Sequence, residues 1–163
     1  RAWVRAFHDD PDAPALVLAG GKGWDEGVDP ALAEVPDHMT VLRPGYLPLE
    51  DLPGFLSGCE ILAYPSVAEG FGLPVLEAMA CGAAVLTTRE TSLPEVGGDA
   101  VAYCGLDAPA IARALVELDA HPQHRAALGA AAQERALGEQ FTWAASARSH
   151  VEAYEAALAA AGA

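Results

Sequence analysis

The sequence predicts an α/β fold: a doubly wound parallel sheet with helices on both faces and a C-terminal helical appendage. Three observations predict it. Short apolar runs alternate along the chain with stretches of helical character. The first of those runs, residues 15–19, is apolar throughout, as a strand buried on both faces is. Glycine and proline mark nearly every junction between them. With 163 residues, 52% of them hydrophobic, the chain has the size of one domain and the material for its core.

Trp3 and Phe7, at i and i+4, place chain entry inside a helix. Residues 15–19 (ALVLA) form the first strand, ended by Gly20 and Gly21. Residues 40–43 (TVLR) form the second, stopped by Pro44 and Gly45. Asp51 with Pro53 reads as the cap and first turn of a helix reaching about Gly58. Residues 60–64 (EILAY) are the third strand, stopped by Pro65. Pro74 opens a helix carrying residues 75–80 and ending at Gly82. Residues 83–88 and 100–104 are the fourth and fifth strands. Asp107 caps a helix whose Ile111, Leu115 and Leu118 share one apolar face. Pro122 opens another reaching about Leu137, and Thr142 caps a last one reaching about Ala160. The pattern is Rossmann-like, and the last three helices in succession form the appendage. In such sheets ligands bind outside the carboxyl ends of the strands, where the glycine-rich loops fall here.

Composition excludes several functions. A net charge of −14 argues against nucleic acid or an anionic membrane surface as a partner, since each wants a basic face. A phosphate ligand remains open, because backbone N–H groups and helix N-termini hold phosphates with few cations nearby. Lys22 is the only lysine. Cys59, Cys81 and Cys104 form no CxxC pair and the five histidines no HxxxH pair, so no metal site is expected. The cysteines read as small buried hydrophobes in a reducing, cytoplasmic compartment. No apolar run reaches the roughly 18 residues of a transmembrane helix, and no secretory signal opens the chain at Arg1.

The chemistry concentrates in residues 65–82, PSVAEGFGLPVLEAMACG. Gly70 and Gly72 let backbone pass close to a ligand. The helix start at Pro74 turns unpaired N–H groups outward with partial positive charge behind them, which suits a diphosphate. Glu69 and Glu77 frame that anion site. Carboxylates beside phosphate are electrostatically unfavourable, and they make sense as acceptors for the neutral hydroxyls of a sugar or ribose. Taken singly, Glu69 also reads as a solvated loop residue and Glu77 as a favourable charge in the first helical turn.

This segment resembles the signature of the GT-B fold glycosyltransferases of family four (group 1). The match runs through Ser66, Glu69, Gly70, Phe71, Gly72, Leu73, Pro74 and Glu77, with Ala78, Met79, Ala80 and Gly82. It continues in LVLAGG at 16–21, PGYLPLEDLP at 44–53, SLPEVGGDA at 92–100 and FTW at 141–143. The resemblance implies half of a GT-B fold, the C-terminal nucleotide-sugar-binding domain. It implies a retaining hexosyltransferase that needs no metal or cofactor and takes a UDP-, GDP- or ADP-sugar as donor. Glu69 would be the catalytic residue, holding hydroxyls of the transferred sugar near its anomeric carbon. Amides of Phe71, Gly72 and Leu73, beside Gly70, would contact the sugar and diphosphate, and Glu77 the ribose hydroxyls. Gly20 and Gly21 would line the nucleotide side, with the backbone near Tyr46 and Leu47 facing the base. In the family an Arg and a Lys that neutralise the diphosphate precede the first residue here, as do a first strand and an N-terminal acceptor domain. That domain would hold the acceptor and supply any peripheral membrane association. Lys22 would either partly replace the lost cations or be a solvated loop lysine, and Arg43 and Arg89 are weaker candidates that also read as surface residues. Two other readings stand beside this one: a non-catalytic sugar-nucleotide-binding or interaction module, and a related GT-B enzyme such as a sugar-nucleotide epimerase or a glycogen synthase.

Overall fold

Every strand pairing among the described residues is parallel. The computed structural model describes residues 1–21, 23 and 26–162. In chain order it contains α1 (Ala2–Phe7), β1 (Leu16–Ala19), α2 (Val28–Ala33), β2 (Val41–Gly45), α3 (Leu52–Ser57), β3 (Ile61–Tyr64) and α4 (Leu73–Ala80). There follow β4 (Ala84–Thr87), α5 (Leu93–Gly97), β5 (Ala102–Tyr103), α6 (Ala108–Ala120), α7 (Pro122–Ala136), a 3-10 turn (Glu139–Phe141) and α8 (Trp143–Ala161). Hydrogen bonding groups the strands as β1–β2 and β3–β4–β5.

Side-chain alternation along the strands makes two apolar layers. On one face Leu16, Val41, Ile61, Leu86 and Ala102 pack with Trp3 and Phe7 of α1 and Leu115 and Leu118 of α6. On the other, Leu62, Val85 and Tyr103 pack with Leu56 of α3, Val75, Ala78 and Met79 of α4, Val96 of α5 and Ala132 of α7. The first layer draws on strands of both groups, so they form one body with helices on both faces. All four residues of β4 are buried, as befits its position between two strands and two helical layers.

The helix signals hold in most places. The Asp107 carboxylate accepts from the Ala110 amide at 2.8 Å, and the Thr142 hydroxyl accepts from the Ala145 amide at 3.1 Å. α4 ends in a Schellman motif around left-handed Gly82 (φ +77°): its amide donates to Met79 O at 3.0 Å, and the Ala83 amide to Ala78 O at 3.0 Å. Asp51 is different, since its side chain makes no cap bond to α3. β2 also continues through Pro44 and Gly45 instead of stopping there. The register slips between the Val17↔Leu42 and Ala19↔Gly45 pairs, and Pro44 sits in that irregularity, where no ladder N–H is needed. Of the three C-terminal helices, α6 and α7 join the two layers, and α8 alone stands off as the appendage with no buried residue.

Candidate functional site

The segment 65–72 leaves the carboxyl end of β3 and is anchored at almost every step. Pro65 stops the ladder, and the Ser66 amide turns back to Tyr64 O at 2.9 Å. The Thr88 hydroxyl, just beyond β4, donates to Ser66 O at 2.6 Å. The Thr91 hydroxyl accepts from the Glu69 amide at 2.9 Å. The Ser92 hydroxyl donates to Glu69 O at 3.2 Å and Phe71 O at 2.9 Å. The half-buried Glu69 therefore has a fixed backbone. Its carboxylate is fixed as well, because the Tyr64 hydroxyl donates to Glu69 Oε1 at 2.8 Å. Burial, followed by the hydrogen bond to Glu69 and its charge, pushes the Tyr64 phenol up to about 12. Tyr64 thus stays a neutral donor at any physiological pH.

Gly72 is the hinge into α4. Its φ is +96°, and a Cβ there would lie 2.9 Å from Cδ2 of Leu93, a residue with no exposed surface. Only glycine fits that combination of handedness and contact. Gly70 is a different case: nothing lies within 4 Å of its would-be Cβ, so it borders open space. Past Gly72 the helix begins, with the Val75 and Leu76 amides donating to Gly72 O at 3.0 and 3.2 Å. Pro74 has no N–H. Among the described residues, no protein acceptor takes the amides of Phe71, Gly72 or Leu73. These are donors at the positive end of a helix dipole, and Phe71 and Leu73 beside the buried Gly72 are exposed.

α4 buries Val75, Ala78 and Met79 and leaves Leu73, Pro74 and Glu77 exposed, so Glu77 shares the outer face with the helix start. Glu77 is the fifth residue of the helix, and no acidic residue occupies the first turn. A favourable first-turn charge therefore does not explain it. Among the described residues its carboxylate has no ion pair.

The other sequence-derived residues lie at the same end of the sheet. Gly20 (φ +126°) follows β1 and donates to Gly45 O at 2.8 Å, which ties it to the end of β2. Gly21 follows, with open space at its Cα. Tyr46 leaves β2 and is 85% exposed, and Leu47 beside it is half-buried. Lys22 lies outside the described residues. The two weaker cation candidates are engaged elsewhere: Arg43 pairs with Asp29 at 3.1 Å, and the Arg89 guanidinium stacks on the Tyr103 ring at 4.0 Å. Two surface concavities lie away from this face, one along α8 at Ala147, Arg148, Val151 and Glu152, the other between α1 and α2. The site is thus an open face built from strand ends.

Tyr64, Thr88, Thr91 and Ser92 were not singled out by sequence reasoning, yet they hold the loop. Ser92 lay inside a matched stretch. Thr91 carried no signal, because its left-handed backbone (φ +48°) is invisible in the residue type. Among the described residues, no group of three or more His, Cys, Asp or Glu is placed to hold a metal ion. Nor is any helix there long and apolar enough to cross a membrane.

Comparison with known proteins bears on this geometry. The model of the family described as glycosyl transferases group 1 matches residues 1–121. The O-antigen chain mannosyltransferase B of Escherichia coli is 48% identical over 86 residues, which cover 52% of this chain and 23% of that protein. The GDP-mannose-dependent α-(1-6)-phosphatidylinositol monomannoside mannosyltransferase of Mycolicibacterium smegmatis is 32% identical over 145 residues, covering 82% of this chain and 37% of that protein. Among solved structures, Anabaena HepE in complex with UDP-glucose superposes with a TM-score of 0.71 at 20% identity, covering 83% of this chain and 39% of that one. At that identity the likeness shows a shared fold. The chain spans less than half the length of each of these proteins.

Proposed function

The chain belongs to the group 1 glycosyl transferases, and from that premise we propose that it is the donor-binding domain of a retaining hexosyltransferase using a nucleotide-diphospho-sugar. One observation carries the reading: the amides of Phe71, Gly72 and Leu73 at the start of α4, which no protein acceptor takes, stand in one segment with Glu69 and Glu77, whose carboxylates have no ion pair among the described residues. The amides of Phe71, Gly72 and Leu73 suit the diphosphate, with the helix dipole behind them. Glu69 suits the hydroxyls of the transferred sugar, and Glu77, one turn along the same exposed face, suits those of the ribose. Gly20, Gly21, Tyr46 and Leu47 extend the same face toward the nucleoside, and Lys22, next in sequence and outside the described residues, is the cation proposed for the phosphates. UDP-glucose and GDP-mannose are the donors to test first, since they are named for HepE and for the mycobacterial relative.

In this reading the reaction is a front-face displacement with net retention. Positive potential at the helix start stabilises charge on the departing diphosphate, and the departing phosphate takes the acceptor's proton. Glu69 holds the sugar and supports positive character at the anomeric carbon. No metal takes part, so chelation leaves donor affinity unchanged. A second domain holds the acceptor, in keeping with the greater length of the relatives. With Arg43 and Arg89 engaged elsewhere, the 163-residue chain binds donor weakly and transfers little by itself.

Calorimetric titration with UDP, GDP, ADP and their glucose or mannose conjugates tests the proposal. We expect one nucleotide to bind and its sugar conjugate to bind more tightly, with both weakened in Glu77→Ala. Binding that is indifferent to Glu77 would remove the ribose assignment. A folded chain that binds no member of the panel would favour the interaction module instead.

A further inference from the structure

Glu69 is gripped at three points by residues from two strand ends. Tyr64, the last residue of β3, pairs in register with Thr87, whose hydroxyl donates to Tyr64 O at 2.8 Å. The Tyr64 ring packs against the buried layer of α3, α4 and α5. A ring held in that way gives its hydroxyl one place to go, and it goes five residues forward to Glu69 Oε1 at 2.8 Å. The other two grips come from the turn after β4. The Thr91 hydroxyl accepts from the Glu69 amide at 2.9 Å, and the Ser92 hydroxyl donates to Glu69 O at 3.2 Å.

The conformation of Thr91 strengthens the case. Among the described residues it is the only non-glycine residue with positive φ (+48°). A β-branched residue in left-handed backbone is an outlier that glycine or asparagine would relieve. Such outliers persist where the surroundings over-determine them, often at functional sites. What this one achieves is geometric: it sets two adjacent hydroxyls, one accepting and one donating, against the amide and carbonyl of a single residue. A glycine there would relax the backbone and lose the acceptor.

We propose that Tyr64, Thr91 and Ser92 are positioning residues that hold the Glu69 carboxylate in one orientation, with Oε1 committed to Tyr64 and Oε2 presented to a hydroxyl of the bound sugar. This deepens the donor-binding reading and rests on it. The grip acts on the sugar and not on the nucleotide, because the diphosphate meets the amides at the start of α4 and the ribose meets Glu77. The three residues therefore govern how much the sugar adds to affinity, and they leave nucleotide affinity alone.

The test measures that gain directly. Dissociation constants for UDP and UDP-glucose, and for GDP and GDP-mannose, are taken by calorimetry for the wild-type chain, Tyr64→Phe, Thr91→Val and Thr91→Ser. Tyr64→Phe keeps the ring, Thr91→Val keeps the branched shape, and Thr91→Ser keeps the hydroxyl. Exchange of the Glu69 amide, followed by NMR without ligand, reports the grip independently of donor. We expect the conjugate's advantage over its free nucleotide to vanish in Tyr64→Phe and Thr91→Val, at unchanged nucleotide affinity. We expect it to return in Thr91→Ser. Glu69 amide exchange should quicken in Thr91→Val by about tenfold, as loss of one hydrogen bond implies. An advantage that survives in Tyr64→Phe and Thr91→Val overturns the positioning role and leaves the donor reading intact. A parallel loss of free-nucleotide affinity also overturns it, since the residues would then serve the loop as a whole. No advantage in the wild-type chain refutes the donor reading, and the proposal falls with it.

Discussion

Replacing Gly72 with alanine probes the junction on which the candidate site depends. The substitution forces a side chain into left-handed backbone (φ +96°) and places its Cβ 2.9 Å from Leu93 Cδ2. The left-handed conformation costs an L-residue about 1–2 kcal/mol. Leu93 has no exposed surface and lies within the layer of Val75, Met79 and Val96, so it yields only by disturbing them. Overpacking of that kind costs about 1–3 kcal/mol. Together the loss is about 2–5 kcal/mol, which for ordinary urea sensitivities moves the unfolding midpoint down by roughly 1–2 M. Gly70→Ala is the internal control, with open space at its Cα and no positive φ. Its effect should stay within about 0.5 kcal/mol or be slightly stabilising, through a less flexible unfolded chain. Urea titration followed by circular dichroism compares the two variants with the wild type. Equal midpoints for Gly72→Ala and Gly70→Ala would show that handedness and contact are not what glycine supplies at position 72.

Two further outcomes follow from the same framework. Arg135 on α7 donates from Nε to Val96 O at 2.8 Å and from Nη2 to Glu95 O at 2.7 Å, satisfying carbonyls at the end of α5, so Arg135→Met should cost about 1–3 kcal/mol. A thermal midpoint unchanged in that variant would show that solvent satisfies those carbonyls equally well. Tyr64 is raised from 10.0 to about 12, so its contribution to stability is complete below pH 10 and is lost as pH rises toward 12. Burial pushes Tyr103, Cys59 and Cys104 upward too, so the wild type weakens generally in alkali. The stability difference between wild type and Tyr64→Phe should nevertheless shrink between pH 9 and pH 11, as measured by urea midpoints, and a constant difference would contradict the assignment.

Much of this structure was legible because its signals are local. Short, mostly apolar runs marked the five strands among the described residues, and Asp107, Thr142 and Gly82 marked helix ends through their own side chains or lack of one. What escaped lacked such signals. α2 buries no residue, so no apolar periodicity points to it. α5 has five residues and ends in glycine, which reads as a turn. Its N-cap, Ser92, makes no side-chain cap bond, because the hydroxyl is spent on Glu69 and Phe71. At the site, Glu69, Glu77 and the glycines announce themselves by residue type within one segment. Tyr64 and Thr91 do not, since their roles come from a register between strands and a turn that bring residues 5 and 22 positions away onto Glu69. The grip is a property of the tertiary fold.

Where a donor touches the chain decides whether residues 69–77 form its site. Amide proton–nitrogen spectra of the labelled protein, recorded during addition of UDP-glucose and separately of GDP-mannose, answer this residue by residue. One donor is expected to shift Gly70, Phe71, Gly72, Leu73 and Glu77 most, with Gly20, Gly21, Tyr46 and Leu47 next. Shifts confined to α8, or to the concavity at Arg1, Val4, Arg5 and Ala31, with residues 69–77 silent, would contradict it.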